Sequence, residues 1–148
     1  MNNPGKPENH VDVFGYFIDR TAKAIKADLN RRFKKLGVDI TPEQWIILSK
    51  LYDKDGQAQV DLGEGTYKDA PTVSRIIDLL CRKGLTTRTP AEGDRRKFLI
   101  RITEKGRDLV VKAEPVVVQS RIDGWEGLNS ADYKELMRIV NTIFDNLT

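Results

Sequence analysis

The sequence predicts a mainly α-helical protein that carries one small β-hairpin. Residues 11–36 and 130–147 repeat apolar side chains at intervals of three and four, as one face of a helix requires. Between residues 86 and 102 the pattern changes to alternation with many β-branched side chains, which indicates two strands and a loop. A chain of 148 residues has the length of one domain with an appended helical part.

Composition excludes several kinds of chemistry. One cysteine, Cys81, permits no internal disulfide bond, and one histidine, His10, leaves too few soft ligands for an ordinary zinc site. The sequence contains neither a glycine-rich phosphate loop nor a serine-elbow motif. We therefore expect no metal, no cofactor and no enzymatic activity.

The N-terminal residues and the hydropathy of the chain indicate the cellular compartment that we expect. No stretch approaches the roughly 20 apolar residues that are needed to cross a membrane. Residues 1–10 contain proline, glycine and polar residues without an apolar segment, so we expect a flexible tail rather than a signal peptide. By default we expect a cytoplasmic protein.

The first helix is predicted over residues 11–36. Its apolar stripe comprises Phe14, Ile18, Ala22, Ile25, Leu29, Phe33 and Leu36. Gly37 is expected to end the helix, with two lysines in the last turn, where the helix dipole favours cations. Val13 and Phe17 lie outside the stripe, which suggests that a second subunit covers another face of the helix near its start.

The start of a second helix carries a complete capping signal. Thr41 is placed to cap, Pro42 fits the first helical position, and Gln44 closes a capping box three residues after the threonine. We expect this helix to run to about Tyr52, where the sequence DKDG stops it. A weak third helix follows over 57–64.

The third helix is expected to be short or frayed. Gly63 and Gly65 each lower helical stability by about 1 kcal/mol relative to alanine. Its expected apolar contacts are Val60 and Leu62.

The fourth helix has clear boundaries. Asp69 is placed to cap it, Pro71 falls in the first turn, and Gly84 closes it. The expected buried stripe is Val73, Ile76, Ile77 and Leu80, with Cys81 beside it. The remaining side chains are expected on or near the exposed face: Ala70, Pro71, Thr72, Ser74, Arg75, Asp78 and Arg82.

A basic hairpin follows this helix directly. We expect strands at 86–89 and 97–102, joined by the loop PAEGDRRK. A helix followed by a hairpin of this kind describes a winged helix. Arg95 or Arg96 at the tip is suited to a narrow minor groove, and we expect Asp94 to hold one of these guanidinium groups by an ion pair.

Positive charge is concentrated in this part of the chain. Residues 68–107 contain 11 lysines and arginines against 5 acidic residues, whereas the rest of the chain contains 14 against 17. A basic helix joined to a basic hairpin is what a duplex-binding surface requires, because phosphates attract cations and a helix fits the major groove.

Two more helices are expected after the hairpin. The fifth starts at Thr103 or Glu104, and Pro115 is expected to kink it. Trp125 and Leu128 fall in the break that follows. The sixth, 130–147, carries a stripe of Tyr133, Leu136, Met137, Val140, Ile143, Phe144 and Leu147. This stripe must pack on the first helix, on the fifth, or on another chain.

The segment DRRKFLIRITEKG, preceded by PTVSRIIDLLCRKGL, resembles the MarR family of bacterial transcriptional regulators, as does the order of elements along nearly the whole chain. The resemblance implies a homodimer that binds a palindromic double-stranded DNA operator as a repressor and is released by a small lipophilic or phenolic effector. It also implies a winged helix-turn-helix domain at 37–103, with dimerisation helices at 11–36 and 104–148. The DNA-binding residues that it implies are Pro71, Thr72, Ser74, Arg75, Asp94, Arg95 and Arg96.

Several alternatives remain open from the sequence. The winged helix is also compatible with a protein-interaction module that does not bind DNA. Arg82, Lys83 and Arg88 suit either phosphate contacts or purely structural roles. Cys81 is interpreted as a packing residue rather than an oxidant sensor, because a lone thiol has no resolving partner. The aromatic residues Phe14, Phe17 and Trp45 suit an effector pocket or core packing equally well.

Overall fold

The structure, a computed structural model, describes residues 13–64, 66 and 69–148, so the predicted tail and His10 lie outside the described residues. In chain order the elements are α1 (Phe14–Leu36), α2 (Pro42–Asp53), β1 (Gln57–Ala58), α3 (Gln59–Glu64), α4 (Ala70–Arg82), β2 (Thr86–Ala91), β3 (Asp94–Ile102), α5 (Glu104–Gly124) and α6 (Ser130–Leu147). The predicted class, mainly helical with a small hairpin, is confirmed. None of these helices is long and apolar enough to span a lipid bilayer.

The predicted helix boundaries are set by local capping contacts. The Thr41 hydroxyl accepts the Gln44 backbone N–H at 3.1 Å, and the Gln44 side chain accepts the Thr41 N–H at 3.2 Å, which completes the capping box. Asp69 accepts the Thr72 backbone N–H at 2.8 Å and starts α4. Gly84 takes a φ of 73° just after the C-cap, a conformation that glycine adopts without steric cost.

One hydrophobic core lies between the helices and the base of the sheet. It joins the C-terminal half of α1 to α2, α3, α4, β3 and α5 as far as Val117. Its largest fully buried side chains include Phe33, Ile47, Leu48, Leu51, Leu62, Ile77, Leu80, Leu85 and Ile100. The predicted buried face of α4 is confirmed, because Val73, Ile76, Ile77 and Leu80 all belong to this core.

The segment 57–64 differs from the prediction of a single short helix. Gln57 and Ala58 form a strand that pairs with Ile100 and Leu99 of β3, and only the residues after them are helical. The strand forms because β3 offers an open edge of backbone hydrogen-bonding groups, a partner about 40 positions away in sequence. Leu62 is fully buried as expected, but the expected contact of Val60 is wrong, since this side chain is 64% exposed.

Gly63 lies where α3 packs closely against α4. A Cβ atom at this position would lie 3.2 Å from Cγ2 of Val73, closer than most real contacts of this kind. The glycine therefore lets α3 approach α4 closely.

The hairpin is longer than predicted and its turn is shorter. Most of the segment predicted as a loop is strand: Ala91 pairs with Asp94, and only Glu92 and Gly93 form the turn. Gly93 takes a φ of 80°, which a two-residue turn requires. Pro90 pairs with Phe98 and Ala91 with Asp94, so the register shifts there and leaves three residues of β3 unpaired. Pro90 itself lies in an edge strand, where proline is tolerated.

The two terminal helices leave large apolar surfaces uncovered. No residue of α6 is buried, although the helix has the predicted boundaries and carries the predicted apolar stripe. Exposed apolar side chains on α6 and on the first half of α1 include Phe14, Tyr16, Phe17, Ile18, Ile25, Tyr133, Leu136, Ile139 and Leu147. α5 continues as a helix through Pro115.

Candidate nucleic-acid interface

The N-terminal half of α4 presents the first group of predicted site residues. Pro71 and Arg75 are exposed, and Thr72 and Ser74 are partly exposed. The core contacts of the opposite face hold these four side chains in a fixed arrangement. Within the described part of the chain the Arg75 side chain has neither a hydrogen bond nor an ion pair, so its guanidinium group is available to a ligand.

The tip of the hairpin presents the second group. Arg95, Arg96 and Lys97 are consecutive, exposed and without a side-chain partner among the described residues. The pairing register of β3 with β2 breaks between Asp94 and Phe98, so these three residues have no paired partner on β2. Lys97 was not among the predicted site residues. Its position in the basic run DRRK would have indicated it as a candidate site residue.

Asp94 does not form the predicted ion pair with Arg95 or Arg96. Its carboxylate instead accepts the backbone N–H of Arg96 at 2.9 Å. A short side chain at the end of a tight turn reaches the backbone two residues further on, whereas an exposed ion pair would have to restrain a long arginine side chain. Both guanidinium groups consequently remain free.

Several other cations of the basic segment stabilise the fold. Lys83 donates to the backbone carbonyl of Asp39 at 2.8 Å and to the side chain of Gln44 at 2.9 Å, which ties the end of α4 to the start of α2. Lys105 donates to the carbonyl of Lys83 at 2.8 Å. Arg88 forms an ion pair with Asp78 of α4. These contacts favour the structural alternative for Lys83 and Arg88, whereas Arg82 is exposed.

The remaining candidates have separate environments. Cys81 is partly buried, and its sulfur lies 3.2 Å from the hydroxyl of Thr86, a contact that fits a packing role. Trp45 is buried, with its ring centroid 6.3 Å from that of Phe33, so it belongs to the core. Phe14 and Phe17 are 40% and 45% exposed on α1.

A family sequence profile described as MarR family matches residues 40–98, from the start of α2 to the outer part of β3. These residues contain α4 and the basic hairpin, in the order and spacing described above. The chain belongs to the MarR family.

Solved structures match almost the full length of this chain. BpsR of Bordetella bronchiseptica, whose DNA binding is regulated by 6-hydroxynicotinic acid, is 25% identical and superposes with a TM-score of 0.82 over 95% of this chain and 99% of its own. MepR of S. aureus, solved in complex with DNA, is 23% identical, with a TM-score of 0.83 over 91% and 98%. A Listeria innocua protein of unknown function is 31% identical, with a TM-score of 0.64 over 93% and 94%.

Family membership establishes the general role. MarR-family proteins are winged-helix transcription regulators that bind DNA, and they are not enzymes. In the winged-helix fold of this chain the β2–β3 hairpin is the wing, and α4, which comes directly before it, is the candidate recognition helix.

Proposed function

We propose that this chain forms a homodimer that represses transcription by binding a palindromic operator, and that a small molecule releases it. The observation that carries the proposal is the pair of unneutralised cationic sites, Arg75 on α4 and Arg95–Lys97 on the wing, held by one core. Recognition helices place side chains in the major groove, and arginines at a wing tip suit an adjacent narrow minor groove. Pro71, Thr72 and Ser74 would contact bases or phosphates beside Arg75, and Asp94 would support the wing tip through its bond to the backbone.

The uncovered apolar surfaces support the dimer. α6 carries a full helical stripe with no buried residue, and the first half of α1 exposes four large apolar side chains within five positions, Phe14 and Tyr16–Ile18. Exposed apolar surfaces of this extent mark protein interfaces. We assign 11–36 and 104–148 to dimerisation and 37–103 to DNA binding. Two-fold symmetry would then present two recognition helices to half-sites about 34 Å apart, which is why we propose a palindrome.

The proposed dimer also offers a way in which a ligand could release the operator. The separation of the two recognition helices depends on how the dimer helices pack, so a ligand that favours a wider separation weakens operator binding. The DNA binding of the similar protein BpsR is regulated by 6-hydroxynicotinic acid, a small aromatic compound. Phe14 and Phe17 on α1 would suit a lipophilic or phenolic effector at the dimer junction, whereas Trp45 is occupied in the core. We place the protein in the cytoplasm, where its operator lies.

The test combines binding and assembly. Fluorescence anisotropy with a duplex from the protein's own upstream region, at low and at moderate salt, is expected to show saturable binding that a scrambled duplex does not match. Sedimentation is expected to show a dimer that binds one duplex. Absence of duplex binding at low salt would reject the proposal and favour a protein-interaction module. Binding by a monomer would reject the palindromic arrangement.

A further inference from the structure

Strand β2 lies along one side of the recognition helix. Alternation places Thr86 and Arg88 on the same face of β2, and both contact α4: Thr86 lies against Cys81, and Arg88 pairs with Asp78. Ser74, Asp78 and Cys81 are spaced by four and three residues, so they form one stripe of the helix. This stripe separates the buried face of α4 from the face that is open to DNA.

The guanidinium group of Arg88 joins three elements. Its Nη1 donates to Oδ1 of Asp78, and its Nη2 lies 3.3 Å from the carbonyl oxygen of Ser74 and 3.4 Å from Oε1 of Gln59. Gln59 is the first residue of α3. The side chain of Arg88 is only 27% exposed. A planar group with several donors suits this position, because one ammonium group would not reach all three acceptors.

The wing needs such an attachment because most of it is a two-stranded ribbon. β1 pairs only with Ile100 and Leu99, so the part of the hairpin beyond these residues has no third strand. Two-stranded hairpins are at best marginally stable in water. Phe98, the first residue beyond the support of β1, is 44% exposed and adds little packing. Arg88 stands opposite Ile100, at the base of this ribbon.

A small pivot at the base displaces the tip considerably. Gly93 at the turn lies five positions after Arg88, which is roughly 17 Å of strand, so a pivot of about 10° moves the tip by about 3 Å. A displacement of that size is larger than a hydrogen bond tolerates. The distance between the wing cations and Arg75 on α4 therefore depends on what holds the base.

We propose that Arg88 is a positioning residue for DNA binding: paired with Asp78 and bonded to Ser74, it fixes the angle between wing and recognition helix and does not itself contact phosphate. This inference rests on the proposed function of the wing and α4. It assigns a role to Asp78 that its charge would not suggest, since a carboxylate near DNA is expected to weaken binding. Here the carboxylate is required for binding, because it holds Arg88.

The sign of the effect at Asp78 separates the two roles of Arg88. Asp78→Ala is expected to weaken operator affinity about 10-fold, although it removes a negative charge from the DNA-binding domain, because an acceptor for a charged donor is lost. If Arg88 instead met a phosphate, the same substitution would free its charge and strengthen binding. Asp61→Ala is the matched control: it removes an exposed carboxylate from α3 and is expected to leave affinity unchanged or slightly higher.

Two further measurements use Arg88 itself. Arg88→Gln is expected to weaken binding to a similar extent with an unchanged salt slope, whereas loss of a phosphate contact would lower the slope by about 0.9 per subunit. The double variant Asp78→Ala with Arg88→Gln is expected to bind about as weakly as either single variant, since each substitution breaks the same connection. Additive losses, or a stronger-binding Asp78→Ala variant, would overturn the proposal.

A readout without DNA keeps the inference independent of the proposed function. Hydrogen exchange of wing amides between Thr89 and Phe98 is expected to accelerate in both single variants, while exchange in α2 stays as in the parent chain. Unchanged wing exchange in both variants would overturn the positioning role. If the parent chain bound no duplex at all, the proposed function would fail, and the exchange data would still decide whether Arg88 holds the wing.

Discussion

Arg96 provides the most direct test of the wing as a DNA contact. Its guanidinium group is exposed, has no partner among the described residues and lies three positions after the tip of the hairpin. Each phosphate contact to B-DNA contributes about 0.9 to the slope of log affinity against log salt, so Arg96→Ala is expected to lower the slope by about 1.8 per dimer. Over a fourfold rise in salt, that difference corresponds to about 12-fold in affinity.

The assay is a salt titration of operator affinity by fluorescence anisotropy, from about 50 to about 200 mM monovalent salt. The operator affinities of parent and variant should differ most at the low-salt end and converge as salt rises, because the lost phosphate contact is electrostatic. Arg138→Ala serves as the charge-matched control, since it removes an exposed arginine from α6, where the side chain pairs with Glu135 of the same helix. A slope that is unchanged in the Arg96 variant, with the fold and the dimer intact, would refute the contact. An equal fall in the control would show that net charge alone accounts for it.

Three further predictions concern the fold and the dimer. A Cβ on Gly106 would lie 2.3 Å from the carbonyl oxygen of Leu85, so Gly106→Ala should cost about 2 kcal/mol or more and lower the thermal midpoint by about 5 °C. Leu136 is 41% exposed in the single chain, and its burial in the proposed dimer would contribute about 1 kcal/mol per chain to the free energy of dimerisation. Leu136→Glu should therefore weaken the dimer at least 30-fold in sedimentation equilibrium. The hydrogen bond from Arg32 lowers the pKa of Asp123, so this pair stabilises the fold at neutral pH and is lost as the pH falls through that lowered value; Arg32→Met should move acid unfolding, followed by circular dichroism, to higher pH.

Each of these predictions has a contrary outcome. Gly124 has open space around its would-be Cβ, so Gly124→Ala should not destabilise the protein; a similar fall for both glycine variants would contradict the clash at Gly106. A dimer of undiminished affinity in the Leu136 variant would remove α6 from the interface. An acid transition of the Arg32 variant at the same or lower pH would show that its pair with Asp123 contributes nothing.

Most helix boundaries were predictable from neighbouring residues. Thr41 and Gln44 cap a helix through contacts three positions apart, and Asp69 does the same for α4. Glycine ends a helix at position 84 because of its own backbone freedom. The loop predicted from the sequence is longer than the two-residue turn that forms, although Gly93 is typical of such a turn. An ion pair at Asp94 was expected where a shorter bond to the backbone forms.

The candidate site was predictable only in part. The concentration of positive charge and the exposed face of α4 follow from composition and helical periodicity, so the exposure of Arg75 and Arg96 was predictable from the sequence. Which cations are free was not predictable, because it depends on partners that are distant in sequence. Lys83 is occupied by a carbonyl 44 positions away, and Arg88 by a carboxylate on the facing helix. The structure thereby divides one basic segment into cations that are paired within the fold and cations whose charged groups remain available to a ligand.

The sequence by itself determined the local features of this protein: the helices with their caps, the alternating strands and the overall excess of positive charge between 68 and 107. These depend on contacts within about four positions, which the order of residues specifies directly. Only the tertiary structure decided the pairing of the short strand β1, the close packing of α3 on α4 at Gly63 and the connection through Arg88. Each of these requires another element to lie at a particular distance, and that distance is set by how the whole core packs. The same holds for α6, whose apolar stripe is evident in the sequence, while only the folded chain shows that no residue of this helix is buried within it.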